Sequence, residues 1–426
     1  MRNLCSSCQI CFALLFLFAP TVHGGELYST QQYLTGDWGG KRTKLNEAGV
    51  HIGLSYTAEP AASVSGGFEQ ESTYLHNINA ELKLDLTKLI SLPKTRFLAK
   101  YSSRSGDNLS EDYVVPAATE DGRYIYGEYY NKSQEAFGGQ TTKLVNFQFT
   151  TLFTEDLSLD YGRLVMNDLF LRSDLYCNFM NNAICGSPKG VFTPYSLNAY
   201  PDATAGVHAG YKIGEKVQIK AGVFDGGWTE QDKNGWDWTL GENGMAIAAE
   251  LQFYFHRDAQ AGVDDVVKIG VNHHTGDFQA FDSDEIFEGQ TSFWVLSDWM
   301  LYREESADDQ GLAAFGSIVF NTDDEISALP MSITAGCIYR GLIPTRDRDK
   351  LGLMLTYAEH SDFNTYTHDF VGEKERGNET LVELTYNMVL GYGLELMPSI
   401  QYILNPNGSK DFSNVTVLGL KLNVNL

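Results

Sequence analysis

The chain ends in residues 415–426, VTVLGLKLNVNL, in which apolar and polar side chains largely alternate. From Val417 onward, one set of alternate positions is wholly apolar: Leu418, Leu420, Leu422, Val424 and Leu426. The other set is mostly polar or small: Val417, Gly419, Lys421, Asn423 and Asn425. Successive side chains of an extended strand point to opposite faces. This period of two therefore predicts a strand with one apolar face and one mostly wet face.

The same alternation recurs along the chain and predicts sixteen strands. They are 50–59, 74–86, 95–104, 143–152, 157–166, 206–212, 217–224, 245–255, 265–273, 291–301, 311–320, 331–339, 350–358, 379–388, 393–402 and 415–426. Strands ten to twelve are the least regular, because apolar residues occur on both of their faces.

The connections between these strands also alternate in length. Long ones follow odd-numbered strands, as at 105–142 and 167–205, and short ones mostly follow even-numbered strands, as at 213–216. This rhythm with an even strand count is typical of outer-membrane barrels, whose closure leaves no strand edge unpaired in lipid. We therefore predict an all-β fold, a 16-stranded antiparallel transmembrane barrel whose long extracellular loops fold into the lumen. A large secreted sandwich or propeller is the alternative.

Composition excludes several other classes. The 426 residues include 31 Lys plus Arg and 55 Asp plus Glu, for a formal net charge of −24. We expect no nucleic-acid partner, because phosphate contacts need clustered cations. A hydrophobic content of 43% is too high for a disordered chain. Past residue 20, no uninterrupted apolar run of about 18 residues predicts a spanning helix.

The first residues have the pattern of an export signal. Arg2 precedes the apolar run 10–19 (ICFALLFLFA), and Val22 and Gly24 supply the small residues of a cleavage site. We expect residues 1–24 to be a signal peptide that is removed, and an uncleaved anchor is the alternative.

The mature chain then divides into a short segment and the barrel. Residues 25–49 form an N-terminal periplasmic segment, in which Lys41 to Ala48 predict a short helix that ends at Gly49. We interpret this helix as a pillar or partial plug at the periplasmic side. Residues 50–426 form the transmembrane barrel.

Several sequence segments, in order along the chain, resemble those of the carbohydrate-selective porin family, the OprB type. Segment 34–49 is similar to the family's GDWGG-x-R-x-x-L-x-x-x-G opening. Segments 104–110 (RSGDNLS), 161–164 (YGRL), 181–186 (NNAICG) and 399–408 (SIQYILNPNG) also resemble family motifs. The resemblance implies a sixteen-stranded channel through which mono- or small oligosaccharides diffuse passively and selectively, in the outer membrane of a Gram-negative-type bacterium.

Such a channel needs donors and acceptors that replace water on sugar hydroxyls, with binding weak enough for release. Strand three carries Arg96, Lys100 and Arg104 on one face, a basic row pointing into the lumen. Arg is suited to this task because its guanidinium donates several hydrogen bonds in a fixed fork.

Neighbouring strands add further substrate-binding candidates on the same inner face: Glu81, Lys83, Asn146, Gln148 and Asp160. Arg163 has the parity of the outer face, but a bulge at the strand end would turn it inward. The alternative for this whole set is that the side chains only solvate a water-filled wall and pair with one another.

The long loops 105–142 and 167–205 are the candidate constriction elements, because loops of this length rarely lack a function. In the second loop, Cys177 and Cys185 enclose seven residues. We predict a disulfide there that stiffens the constriction, and two free thiols are the alternative. Cys337 lies on the apolar face of strand twelve.

The remaining aromatic and catalytic candidates are weaker. Trp228, Trp236 and Trp238 either stack on sugars at the channel mouth or pack within loops. The mature chain has no HExxH, GxSxG, Walker or CxxC motif, so we expect neither enzyme activity nor a cofactor or metal. The rival functions are a general non-selective porin and, from another class, a barrel enzyme with scattered catalytic residues. Expected partners are small-molecule sugars and outer-membrane lipid, with a homo-oligomer left open.

Overall fold

The computed structural model describes residues 32–119, 122–136, 141–193, 196–227, 234–241, 243–257, 263–304, 309–368 and 372–426. The predicted signal peptide lies outside these residues.

Most of the described chain is β-strand. The strands are β1 (Val50–Ser65), β2 (Ser72–Asp85), β3 (Thr95–Gly106), β4 (Thr141–Leu152), β5 (Leu157–Leu164), β6 (Thr204–Ile213), β7 (Val217–Asp225), β8 (Met245–His256), β9 (Asp265–Gln279), β10 (Ile286–Arg303), β11 (Gly311–Asn321), β12 (Met331–Arg340), β13 (Lys350–Glu359), β14 (Tyr366–His368), β15 (Gly372–Lys374), β16 (Glu379–Gly391), β17 (Leu394–Leu404) and β18 (Val415–Asn425). Strands β14 and β15 form a separate hairpin. Among the described residues, the other sixteen close into one antiparallel barrel, with β18 paired to β1, and the sixteen predicted strands are confirmed.

The largest difference from prediction is the hairpin of β9 and β10. The sequence predicts a loop over 274–290, but the two strands continue to Gln279 and from Ile286, with Phe287 opposite Phe278 and Glu288 opposite Asp277. This extension is rich in His, Asp, Gln and Glu, so no wholly apolar face marks it as strand. The loop itself shortens to 280–285.

Short helices lie at the short-turn end of the barrel. Helix α1 (Lys41–Glu47) confirms the predicted helix before the first strand, and Gly49 follows it with a φ of 91°. The sequence does not predict helix α2 (Leu86–Ile90), since Leu86 continues the alternation of β2. The Asp85 side chain starts this helix by accepting hydrogen bonds from the amides of Thr87 and Lys88. No helix among the described residues is long and apolar enough to cross a membrane.

Arg42 joins the N-terminal segment to the end of the chain. Its guanidinium donates to the carbonyl oxygens of Gly36 at 3.1 Å, Ile52 at 3.3 Å and Leu426 at 2.9 Å. It also lies 4.1 Å from the ring centroid of Trp38. The GDWGG-x-R motif therefore has a structural task, because its Arg and Trp hold this segment beside β1 and β18.

The barrel has apolar residues outside and polar residues inside. Apolar side chains on the outer face are open, with Ile78 39% and Leu353 48% exposed, while inner Asn272 and Glu383 are fully buried. This distribution is the reverse of a soluble protein's and is expected where lipid surrounds the wall.

The lumen beside β9 to β12 is filled by an apolar cluster from the long connection between β5 and β6. Phe179 and Tyr176 pack against Phe315 of β11, with ring centroids 5.7 Å and 5.5 Å apart. Trp294 of β10 is buried in the same cluster, and a side chain at Gly270 would collide with its indole ring. This cluster explains why strands ten to twelve carry apolar residues on both faces.

Candidate functional site

A cavity of about 860 Å³ opens at the short-turn end of the barrel, between the N-terminal segment and the inner faces of β1 to β4. We call it the vestibule. Four of the predicted binding residues line it: Glu81, Lys83, Arg96 and Gln148. These side chains therefore lie on the inner face that their parity predicts.

Above the vestibule, two members of the predicted basic row flank one aromatic ring. Lys100 Nζ lies 4.4 Å and Arg104 Cζ lies 4.8 Å from the ring centroid of Tyr200. Both distances are within the range of cation–π attraction. Tyr200 belongs to the loop between β5 and β6, so the loop and the basic row form one unit.

The hydroxyl group of Tyr200 fixes this ring against the wall. It donates to Asn79 Oδ1, lies 2.7 Å from Ser102 Oγ and accepts from Asn77 Nδ2 at 3.4 Å. These partners lie on the inner faces of β2 and β3. The ring is thus held in place by hydrogen bonds that do not involve Lys100 or Arg104.

Glu81 balances the charge at this level. Its carboxylate lies 2.8 Å from Lys83 Nζ and 3.6 Å from Lys100 Nζ. We use the name constriction for the level of Glu81, Lys100, Arg104 and Tyr200, where the loop between β5 and β6 meets the wall. A second cavity of about 240 Å³, the upper chamber, lies on the long-loop side and is lined by Arg104, Tyr200 and residues of both long loops.

Inner carboxylates of the barrel hold the long loops in the lumen. Glu383 of β16 accepts hydrogen bonds from the amides of Met180 at 2.8 Å and Asn181 at 3.1 Å. Glu250 of β8 accepts from the amide of Leu171 at 3.0 Å, and Glu59 of β1 accepts from that of Ala136 at 3.0 Å. Leaving a buried amide without an acceptor costs free energy, so these contacts fix the loop positions.

The predicted disulfide is confirmed. Cys177 and Cys185 are joined within the loop between β5 and β6, and Cys337 of β12 is a free cysteine. The carboxylate of Glu135, from the first long loop, lies within 4.8 Å of both bonded sulfur atoms. The disulfide therefore lies where the two long loops meet.

Glu135 is also part of a charged cluster beside Arg104. Lys421 of β18 forms an ion pair with Glu135 and lies 4.0 Å from Glu59. Burial alone would raise the pKa of Glu135, but Lys421 and Arg104 outweigh burial and keep this pKa below its ordinary value. The carboxylate thus stays ionised near neutral pH and stabilises the cations around it.

The pKa shift of Lys189, a cation of the upper chamber, disfavours its charged form. Burial and the neighbouring charge of Lys132 lower the pKa of Lys189 to about 8. This lysine is therefore close to its titration point at mildly alkaline pH, and the chamber loses positive charge as the pH rises.

Asn146, Gln148 and Asp160 form a polar network on the wall. Asn146 donates to Gln148 Oε1 at 3.3 Å, and Gln148 donates to Asp160 Oδ1 at 3.0 Å. Asp160 also lies 2.9 Å from His208 Nδ1 and accepts from the hydroxyl of Thr150. Of these groups, Gln148 and Thr150 line the vestibule, whereas Asp160 orients them.

Arg163 does not join this group, and the predicted bulge is absent. The register of β4 and β5 runs without a shift, so Arg163 stays opposite Phe147 of the outer aromatic face. Its guanidinium donates to the carbonyl oxygen of Asp237, in the loop after β7, at 3.2 Å. Instead, β4 has its irregularity opposite Lys100 and Tyr101.

The tryptophans of the loop after β7 differ in their surroundings. Trp238 packs against Phe147, with ring centroids 5.8 Å apart, and Trp236 is 58% exposed. Trp228 lies outside the described residues. Trp238 therefore follows the packing alternative.

Sequence reasoning missed four residues of this region: Tyr200, Glu135, Glu59 and Lys421. Lys421 lies on the inner face of β18, so its parity was a signal that it points into the lumen. The alternation of β1 extends to Glu59, which was a second signal. Tyr200 and Glu135 lie in loops, where no periodicity indicates direction.

Comparisons with known proteins agree on one family. A family model described as carbohydrate-selective porin, OprB family, matches residues 69–426. Porin B of Pseudomonas aeruginosa is 24% identical over 439 residues, covering 94% of this chain and 93% of that protein. The high-pH structure of Pseudomonas putida OprB matches with a TM-score of 0.83 and 22% identity. The match covers 94% of this chain and 100% of that chain. The low-pH structure of the same protein covers the same shares with a TM-score of 0.60 and 18% identity. At these identities the structures support the fold alone.

Proposed function

The chain belongs to the OprB family of carbohydrate-selective porins, and we propose that sugars cross it by diffusing from the upper chamber through the constriction into the vestibule. Membership and the closed sixteen-stranded barrel place it in the outer membrane of a Gram-negative bacterium. Family membership supports a channel as the function.

The observation that carries the proposed route is the arrangement of Lys100 and Arg104 around the Tyr200 ring. A sugar crossing this level meets fixed N–H donors and an aromatic residue, all positioned before it arrives. Because the donors are already held in place, little ordering free energy is lost on binding. The Glu81 carboxylate adds an acceptor for sugar hydroxyl groups on the same wall.

Weak binding also follows from the surroundings of these groups. Lys100 is paired with Glu81, and Arg104 lies beside the ionised Glu135, so a sugar competes with existing interactions. Such competition favours fast release, which passive transport requires.

Liposome swelling tests this function. Proteoliposomes in isotonic sugar or isotonic amino-acid solutes of matched size swell at rates that report passage of each solute. Sugar-selective diffusion gives faster swelling with the sugars. Equal rates at equal size favour the general non-selective porin, and appearance of cleaved sugar favours the barrel enzyme.

Two further parts of the proposal concern partners. The exposed apolar outer face supports contact with outer-membrane lipid. We propose that part of the same face forms a homo-oligomer. Chemical cross-linking in intact membranes tests this, and a single band of monomer size is the result against it.

A further inference from the structure

The charge of the vestibule differs in sign from that of the whole chain. Four cationic side chains line it, against two acidic ones, in a chain with a formal net charge of −24. The cations are Arg42, Lys83, Lys88 and Arg96, and the acids are Glu81 and Asp85. A narrow space lined by one sign of charge, between low-dielectric walls, concentrates solutes of the other sign.

Both acids of the vestibule are already engaged. Glu81 is shared between Lys83 at 2.8 Å and Lys100 at 3.6 Å. Asp85 lies directly across the strand pair from Arg96, but its carboxylate accepts from the amides of Thr87 at 3.1 Å and Lys88 at 3.3 Å. It therefore starts helix α2 and leaves Arg96 without its cross-strand acid.

Arg96 is consequently the open cation of the vestibule. Arg96 is exposed to solvent, and within the described part of the chain its side chain makes neither a hydrogen bond nor an ion pair. Two other cations are occupied by carbonyl oxygens: Arg42 by those of Gly36, Ile52 and Leu426, and Lys88 by that of Glu47. A guanidinium presented in this way has its full fork of donors available to a carboxylate.

The surface around Arg96 is suited to a sugar. Leu98, two positions along β3, lines the same cavity and offers an apolar contact for a ring's C–H face. Across the strand pair, Thr150 lies opposite Arg96 and Gln148 opposite Leu98, both fixed by Asp160. Apolar surface, amide, hydroxyl and guanidinium thus lie within one short patch.

We propose that the vestibule binds sugar acids, the monosaccharides that carry a carboxylate, with Arg96 as the residue that recognises the carboxylate. This inference rests on the proposed function and narrows its substrate class. Neutral sugars share the hydroxyl contacts of the route, whereas a sugar acid adds a charged hydrogen-bonded pair at Arg96. Because Arg96 is solvent-accessible, the pair is weakened by water and salt, and release into the periplasm remains fast.

Sugar block of single-channel current in a planar bilayer tests the inference. Sodium glucuronate, glucose and sodium acetate are titrated at constant ionic strength. We expect a half-blocking concentration up to about 5-fold lower for glucuronate than for glucose, as for one added solvent-exposed ion pair. Acetate, which has the charge without the ring, is expected to block only weakly.

The variant arm uses Arg96→Gln, with Lys216→Gln as its control. Lys216 lies in the exposed turn between β6 and β7, outside the vestibule, so its variant makes the same charge change elsewhere. We expect Arg96→Gln to abolish the preference for glucuronate over glucose, and Lys216→Gln to preserve it. Because Arg96 is exposed, this variant should still fold and insert, and its unitary conductance in KCl verifies that.

The outcomes separate the two proposals. Equal block by glucose and glucuronate, or a preference that survives Arg96→Gln, overturns the inference and leaves the sugar channel intact. Acetate block as strong as that of glucuronate also overturns it, because charge alone then accounts for the effect. Failure of every sugar to block, together with unselective swelling, is evidence against the sugar channel itself.

Discussion

Replacing Arg104 with Ala is the sharpest perturbation of the proposed constriction. Arg104 is 5% exposed, its Cζ lies 4.8 Å from the Tyr200 ring centroid, and it lines the upper chamber. The variant removes one fork of donors from the sugar route. It also removes one positive charge from beside Glu59 and Glu135.

The expected magnitude follows from these contacts. Loss of a charged hydrogen-bond partner weakens sugar binding by about 1.5–3 kcal/mol, which corresponds to roughly a 10- to 150-fold rise in the half-blocking concentration. Loss of the charge next to two carboxylates shifts ion selectivity toward cations. Tyr200 keeps its hydroxyl contacts and Lys100, so the ring itself should stay in place.

Planar-bilayer recording measures both effects on one channel, from sugar block and from the reversal potential in a salt gradient. Arg104→Lys is the matched control, since it keeps the charge without the planar fork. We expect it to retain ion selectivity and lose part of the sugar block. If Arg104→Ala inserts as a heat-modifiable barrel with unchanged sugar block and unchanged selectivity, Arg104 only solvates the wall and the reasoning is wrong.

Three further predictions concern the loops, the pH response and the N-terminal segment. Glu383→Gln should speed amide hydrogen exchange at Met180 and Asn181 by about 10-fold, because Gln keeps only one of the two acceptor oxygens that these amides use. Exchange equal to that of wild type would show that the loop is held by other contacts. Between pH 7 and 9, ion selectivity should move toward cations as Lys189, with its pKa lowered to about 8, loses its proton and the chamber loses positive charge. Lys189→Met should flatten this part of the pH profile, and an identical profile in the variant refutes the assignment. Arg42→Ala should lower the temperature at which the barrel unfolds in detergent gels, since about 1.5–3 kcal/mol of charged hydrogen bonds to three carbonyl groups is lost, and an unchanged transition would assign the segment's attachment elsewhere.

The barrel was predictable from sequence because two solvents impose its pattern. Lipid outside and water inside make each strand alternate, and the alternation persists wherever the wall faces both. It weakens at β10 to β12, where Trp294 and Phe315 face the apolar loop cluster and not water. The alternation also fails at the long-loop ends of β9 and β10, where polar residues extend the hairpin to Gln279 and Ile286.

The site was only partly predictable, for a related reason. Parity placed Arg96, Lys100 and Arg104 on the inner wall, because each strand has just two faces. It carried no information about Tyr200 or Glu135, whose loops owe their positions to contacts such as those of Glu383 and Glu59. The sequence predicts that a bulge turns Arg163 inward, but β5 has no bulge in its register with β4.

Single-channel recording of the wild-type protein during a titration with glucose tests the central claim most directly. If sugars pass through the constriction, the ion current falls with sugar concentration and saturates, because sugar and ions compete for one narrow path. Current that stays constant, or falls only in proportion to the viscosity of the solution, would contradict a sugar route past Lys100, Arg104 and Tyr200.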